Sequence, residues 1–156
     1  VEQVLIHRLK YQNSRQTGVF LGQKLGKSIQ GLMTEIQLDC LIPVPIFHRK
    51  KFDRGYNQAL SIAKGLSSQL NVPVWTSLLR KKKKTKSQTK LSRDDRRTNV
   101  ENSFVATNAF SKLNSIGIVD DVVTTGATIG ELCREITLVN DSIKITIFTL
   151  GVARIE

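Results

Sequence analysis

The chain has 156 residues, 24 Lys and Arg against 13 Asp and Glu, and a formal charge of +11. That length allows one domain, 1–156, able to bury roughly two thirds of the surface its unfolded chain exposes. An apolar content of 40% excludes a disordered chain, no run nears the roughly 18 apolar residues of a membrane span, and the opening VEQVLIHRLK does not read as a signal peptide.

In chain order, Val1, Val4, Leu5 and Leu9 recur at the three-to-four spacing of a helix face, and Asn13-Ser14 breaks it. Phe20, Leu21, Leu25, Ile29 and Leu32 continue the spacing and predict a second helix with that stripe buried. Cys40 to Pro45 is a short apolar run ended by prolines, which predicts a buried strand. Ile46–Gly55 is polar and basic, hence a loop. Ala59, Leu60, Ala63, Leu66 and Leu70 mark the next helix, and Val72-Pro73-Val74-Trp75 a second short strand.

Residues 80–97, RKKKKTKSQTKLSRDDRR, carry ten basic and two acidic groups, a net +8. The remainder is close to neutral, so the charge is that of one insert. Such a block is by default a solvated loop; a nucleic-acid patch or a polyphosphate clamp is the functional alternative. Ser92 with Asp95 resembles a capping box and predicts a short helix over 93–99. Phe104-Val105 reads as a brief strand, and Ser115–Val119 as an apolar strand running into Asp120-Asp121. Thr124–Thr128 is a turn, Ile129, Leu132, Ile136 and Val139 a helix, and Ile143 to Leu150 a last strand. This alternation implies parallel pairing with right-handed crossovers, the insert standing outside the sheet.

The chemistry concentrates in Ile116–Thr128, IGIVDDVVTTGAT. Ligands of open parallel sheets bind beyond the carboxyl ends of the strands. There Asp120 and Asp121 would meet a helix start whose N–H groups favour an anion. Gly126 lets backbone approach closely, and the Thr hydroxyls add donors. A phosphate suits the turn, and sugar hydroxyls suit carboxylates, which can only accept. A single Asp would more simply solvate a strand end; two followed by Thr-Thr-Gly-Ala-Thr favour a site. Gly26-Lys27-Ser28 is a fragment of a nucleotide-binding P-loop, but Leu21 stands where its first glycine is required and the surroundings are helical, which excludes it.

IVDDVVTTGAT resembles the phosphoribosyl-pyrophosphate (PRPP) motif of type I phosphoribosyltransferases. The resemblance implies that Asp120 and Asp121 hold the ribose as catalytic residues, and that Thr124, Thr125, Gly126, Ala127 and Thr128 hold the 5′-phosphate. Pro43-Val44-Pro45, Arg49 and Arg54-Gly55-Tyr56-Asn57-Gln58-Ala59 are similar to the signature of the competence protein ComF and its relatives. Thr85, Gln88, Leu91, Arg96, Asn99 and Phe104 match a further pattern of that family, and Leu5-Ile6 with Lys10-Tyr11 looks like its first helix.

That likeness implies a doubly wound, mostly parallel α/β sheet flanked by helices, with a hood insert at about 80–103 that includes Thr85, Gln88, Arg96 and Asn99. It implies pyrophosphate binding by Arg49, Lys50, Lys51 and Arg54, whose donors suit phosphate oxygens. It also implies Mg²⁺ held through the substrate, a cytoplasmic setting, and a place in natural transformation beside single-stranded DNA and a competence helicase. The reaction implied is phosphoribosyl transfer; the rival is a non-catalytic module gripping single-stranded DNA. Lys81, Lys82, Lys83 and Lys84 exceed what PRPP requires and are the expected DNA contacts. Family members usually begin with a four-cysteine zinc module; with only Cys40 and Cys133, 93 positions apart, this chain is expected to lack it. Both cysteines read as reduced core thiols. Asn57 and Gln58 read as loop-holding or helix-capping groups, Tyr56 and Trp75 as packing residues, and His48 as a surface residue.

Overall fold

A computed structural model describes residues 15–46, 56–81 and 103–152. The helical opening, the loop with Arg49, Lys50, Lys51 and Arg54, and most of the insert, including the expected 93–99 helix, lie outside them. So do Lys82, Lys83, Lys84, Thr85, Gln88, Arg96 and Asn99.

Helix α1 is Arg15–Ile29, α2 Gln58–Leu70 and α3 Ala127–Thr137. Strands are β1 Cys40–Pro43, β2 Leu79–Lys81, β3 Phe104–Ala106, β4 Ser115–Val123 and β5 Lys144–Val152. Three of them form a parallel sheet in the order β1-β4-β5, with Cys40 opposite Ile116 and Ser115 opposite Lys144. Adjacent side chains on a strand point to opposite faces, which divides the core in two. Leu41, Val119 and Phe148 meet Ile62, Ala63 and Leu66 of α2, with Leu21 and Leu25 of α1 against them. On the other face Ile42, Ile116 and Ile118 pack with Leu132 and Ile136 of α3 and with Phe104 and Phe110. Helices on both faces of a parallel sheet make the doubly wound arrangement the sequence implied.

The α1 stripe differs from its expectation. Phe20 and Leu32 are exposed, while Gly18, Gly22 and Gly26 are buried. A methyl group at Gly22 would overlap the Ile62 carbonyl, and one at Gly65 the Val19 carbonyl. The helices therefore meet backbone to backbone, which turns the glycine ridge inward and Phe20 out, where the Lys24 ammonium lies 5.5 Å from its ring. Gly26-Lys27-Ser28 is a stretch of this helix.

The Val72–Trp75 strand reduces to one bridge, Val74 with Leu41. Leu41 N–H donates to Pro73 O (2.8 Å) and Trp75 N–H to Leu41 O (2.9 Å); Pro73 has no N–H with which to continue a ladder. Trp75 is also half-exposed, unlike buried Tyr56. Arg80 and Lys81, read as part of a polar insert, lie in strand β2, which pairs antiparallel with β3 and sets Lys81 opposite Phe104. This separate ribbon brings together the two ends of the insert, outside the main sheet as expected. Lys81 Nζ stands 4.8 Å from the Phe104 ring centre.

Asn57 caps α2. Its Oδ1 accepts from Leu60 N–H (3.4 Å), and its Nδ2 donates to Val44 O (3.1 Å), tying the helix start to the end of β1. Both cysteines are free thiols. Burial, with the Asp39 carboxylate adding to it, pushes the Cys40 thiol up to about 12; burial also raises Cys133.

Candidate functional site

Strand β4 is buried from Ser115 to Val119 and partly exposed from Asp120 to Val123. The change follows from strand length. β1 ends at Pro43, opposite Val119, with one further bond from Val44 N–H to Val119 O (2.9 Å). Beyond that point β4 is paired only with β5, through Asp120 opposite Thr149 and Val122 opposite Gly151. Asp120 and Asp121, expected just after the strand, therefore lie within it, on the segment that outruns β1.

Side chains add further bonds along this segment. Asp121 N–H donates to Asp120 Oδ1 (2.9 Å), and Val122 N–H to Asp121 Oδ1 (2.9 Å). The Thr149 hydroxyl lies 3.2 Å from Asp121 O and 2.9 Å from Gly151 O, and accepts from Gly151 N–H at 3.4 Å. A carboxylate offers about four acceptor positions, so accepting from a strand N–H does not by itself exhaust either side chain.

The chain then turns through Thr124, Thr125 and Gly126 into α3. Gly126 takes the left-handed conformation at φ 73°, which a residue without Cβ adopts freely, and it offers no side-chain cap. Thr125 Oγ1 accepts from Ala127 N–H at 3.4 Å, and the first regular turn closes with Gly130 N–H on Gly126 O at 2.8 Å. Apart from that bond to Thr125, a first turn whose N-cap has no side chain presents N–H groups and the positive end of the helix dipole.

These elements enclose an open concavity of about 40 Å³, lined by Asp120, Val122 to Thr128 and Ile129. By the rule that one water needs ~10–15 Å³, it admits a group about the size of a tetrahedral oxyanion. The structure thus brings Asp120 together with Thr124, Thr125, Gly126, Ala127 and Thr128. Asp121 is next to the concavity in sequence but not on its wall. Lys81 belongs to the β2–β3 ribbon. The sequence reading missed Val122, Val123 and Ile129 as lining residues, and Thr149 as a support. Only the β4–β5 register reveals the last, because Thr149 is an ordinary strand residue in its own segment.

Over 137 residues the chain is 35% identical to competence protein F of Haemophilus influenzae, a match covering 84% of this chain and 59% of that protein. It belongs to the competence protein F family. The DNA utilization protein YhgH of Salmonella typhimurium is 30% identical, over 84% of this chain and 59% of its own length. YhgH of Escherichia coli K12 is 30% identical over 83% and 58%. The chain thus spans a little under three fifths of these relatives. No family model matches it.

Among solved structures, the glutamine PRPP amidotransferase of B. subtilis, complexed with ADP and GMP, aligns with a TM-score of 0.52 and 17% identity. The alignment covers 88% of this chain and 26% of that one. An allosteric regulatory enzyme of purine biosynthesis gives 0.50 and 14%, over 83% and 25%. At those identities the likeness is one of fold, and the fold of this competence protein F relative is that of the type I phosphoribosyltransferases.

Proposed function

We propose that this domain binds PRPP with Mg²⁺ in phosphoribosyltransferase fashion, and that it serves the uptake or use of DNA. The observation that carries the reading is the continuity of one segment. The acids of β4 outrun β1 and lead directly into an uncapped helix start, around a concavity of oxyanion size. In this reading Thr124–Thr128 hold the 5′-phosphate with N–H and hydroxyl donors. Asp120, on the wall, and Asp121 beside it accept from the ribose hydroxyls. Their carboxylates are the hard oxygen donors that suit Mg²⁺, an ion that takes its remaining ligands from phosphate and water. When bound, Mg²⁺ would offset negative charge on the pyrophosphate. Arg49, Lys50, Lys51 and Arg54 would act on the same group. Two anionic side chains beside the sugar also favour the positive charge that grows on its ring as pyrophosphate leaves.

The relatives' names, competence protein F and DNA utilization protein, support a role in the uptake or use of DNA; single-stranded DNA and a competence helicase are the partners proposed for it. The net +8 of residues 80–97 supports direct DNA contact through Lys82, Lys83 and Lys84. Lys81 is set apart from that group by its place over Phe104.

Calorimetric titration with PRPP, with and without Mg²⁺, tests the reading. Saturable binding that needs Mg²⁺, and is lost in the Asp120→Asn/Asp121→Asn double variant, is expected. No binding to the unaltered chain would overturn it. If single-stranded DNA still binds in that case, with a salt slope that falls when Lys82–Lys84 become Gln, the DNA-module reading takes its place.

A further inference from the structure

The peptide joining Asp121 to Val122 has a side-chain partner within hydrogen-bond reach at each of its polar ends. Its N–H donates to Asp121 Oδ1 (2.9 Å), and its carbonyl lies 3.2 Å from the Thr149 hydroxyl. The peptide before it is held by Asp120 Oδ1 on Asp121 N–H. All of this occurs just past the end of β1, where a neighbouring strand would otherwise fix the geometry. Thr149 is half-buried on β5, directly opposite Asp120 in the register. Its hydroxyl carries one hydrogen and has two carbonyls in reach, Asp121 O across the strands and Gly151 O two residues on.

We infer that Thr149 is a positioning residue for the acidic pair. Its hydroxyl anchors the Asp121–Val122 peptide, and through that peptide it sets the direction of the Asp121 carboxylate. The inference rests on the PRPP reading, since it concerns the residues that would hold the ribose. A β-branched residue is favoured in a strand whatever its polarity, so the strand alone does not call for a hydroxyl. Valine would fill the same space and keep the strand, but would leave Asp121 O without this donor. Serine would keep the donor.

The test compares the unaltered protein with Thr149→Val, Thr149→Ser and Asp121→Asn, using three probes: PRPP with Mg²⁺, ribose 5-phosphate and inorganic pyrophosphate. One net hydrogen bond corresponds to about a two- to tenfold change in an equilibrium constant. Thr149→Val should weaken PRPP and ribose 5-phosphate by about that factor and leave pyrophosphate unchanged, with Thr149→Ser close to the parent. In an Asp121→Asn background the valine substitution should cost almost nothing further, because its effect passes through that carboxylate. A merely structural role would instead lower Tm and weaken all three probes alike, additively with Asp121→Asn. That result, or unchanged ribose 5-phosphate affinity in Thr149→Val, would overturn the inference and leave the PRPP reading intact. Failure of the unaltered protein to bind either ribose ligand would overturn both.

Discussion

At the amino end of β4, Asp39 Oδ2 accepts from Asn114 N–H (2.6 Å) and Ser115 N–H (3.0 Å), and the strand runs on between β1 and β5 with every side chain buried. At the carboxyl end Asp120 and Asp121 also accept from backbone N–H groups, but on a segment flanked by β5 alone. All three aspartates perform the same local task. What differs is the space around them. Asp39 closes the join between two elements, whereas the other pair stands where β1 has stopped and an uncapped helix begins. A strand that outruns its neighbour thus turns a fold-making residue type into a ligand-facing one.

The largest effect is expected from emptying the buried half of β4. Ile118 is fully buried between β1, β5 and the α3 face. Ile118→Ala should lower unfolding free energy by ~2–5 kcal/mol in urea titration, with PRPP affinity falling only as far as the folded fraction does. The opposite pattern is expected from Asp120→Asn with Asp121→Asn. Both amides keep an oxygen for the N–H bonds they now accept, so Tm should move by no more than a few degrees. PRPP affinity should drop more than tenfold, as about 1.5–3 kcal/mol attaches to a hydrogen bond with a charged group. Equal loss of stability in the two variants would show that the two ends of β4 are not distinct.

Asp39→Ala removes an acceptor from two N–H groups at the sheet's amino end and should cost ~1–3 kcal/mol of stability. Asp39→Asn should recover about half of that, and neither should shift PRPP affinity of the folded protein. A change in ligand affinity at constant stability would tie Asp39 to the site.

How much of this was legible in the sequence follows the same division. IVDDVVTTGAT could be read because strand, acids, turn and helix start are consecutive residues, and local chemistry places all of them. Asn57 was legible as a cap for the same reason. The glycine ridge of α1 was not: the three-to-four rule marks apolar side chains, and Gly18, Gly22 and Gly26 are buried for having none. Nor was Thr149, whose meaning depends on a register between segments 28 residues apart. The reading of Val72–Trp75 as a strand failed because apolar spacing says nothing of how many N–H groups a proline leaves for pairing.

The measurement that separates the two ends most cleanly comes from Cys40. It pairs with Ile116 in the buried half and is fully buried, and its thiol is pushed from an ordinary 9.0 up to about 12. Between those values the unfolded chain has lost the proton that the native protein still holds. The native state therefore binds more protons, and stability falls as pH rises through that window, by at most ~1.4 kcal/mol per unit. Below pH 9 the contribution is fully present. At pH 8 iodoacetamide should label half-buried Cys133 first and reach Cys40 only through opening of the amino half. Asp39→Ala should therefore quicken Cys40 labelling, while Asp120→Asn should leave it unchanged. If the carboxyl-end variant exposes Cys40 as fast as the amino-end one, β4 opens as a single unit, and the aspartates differ only in what they touch.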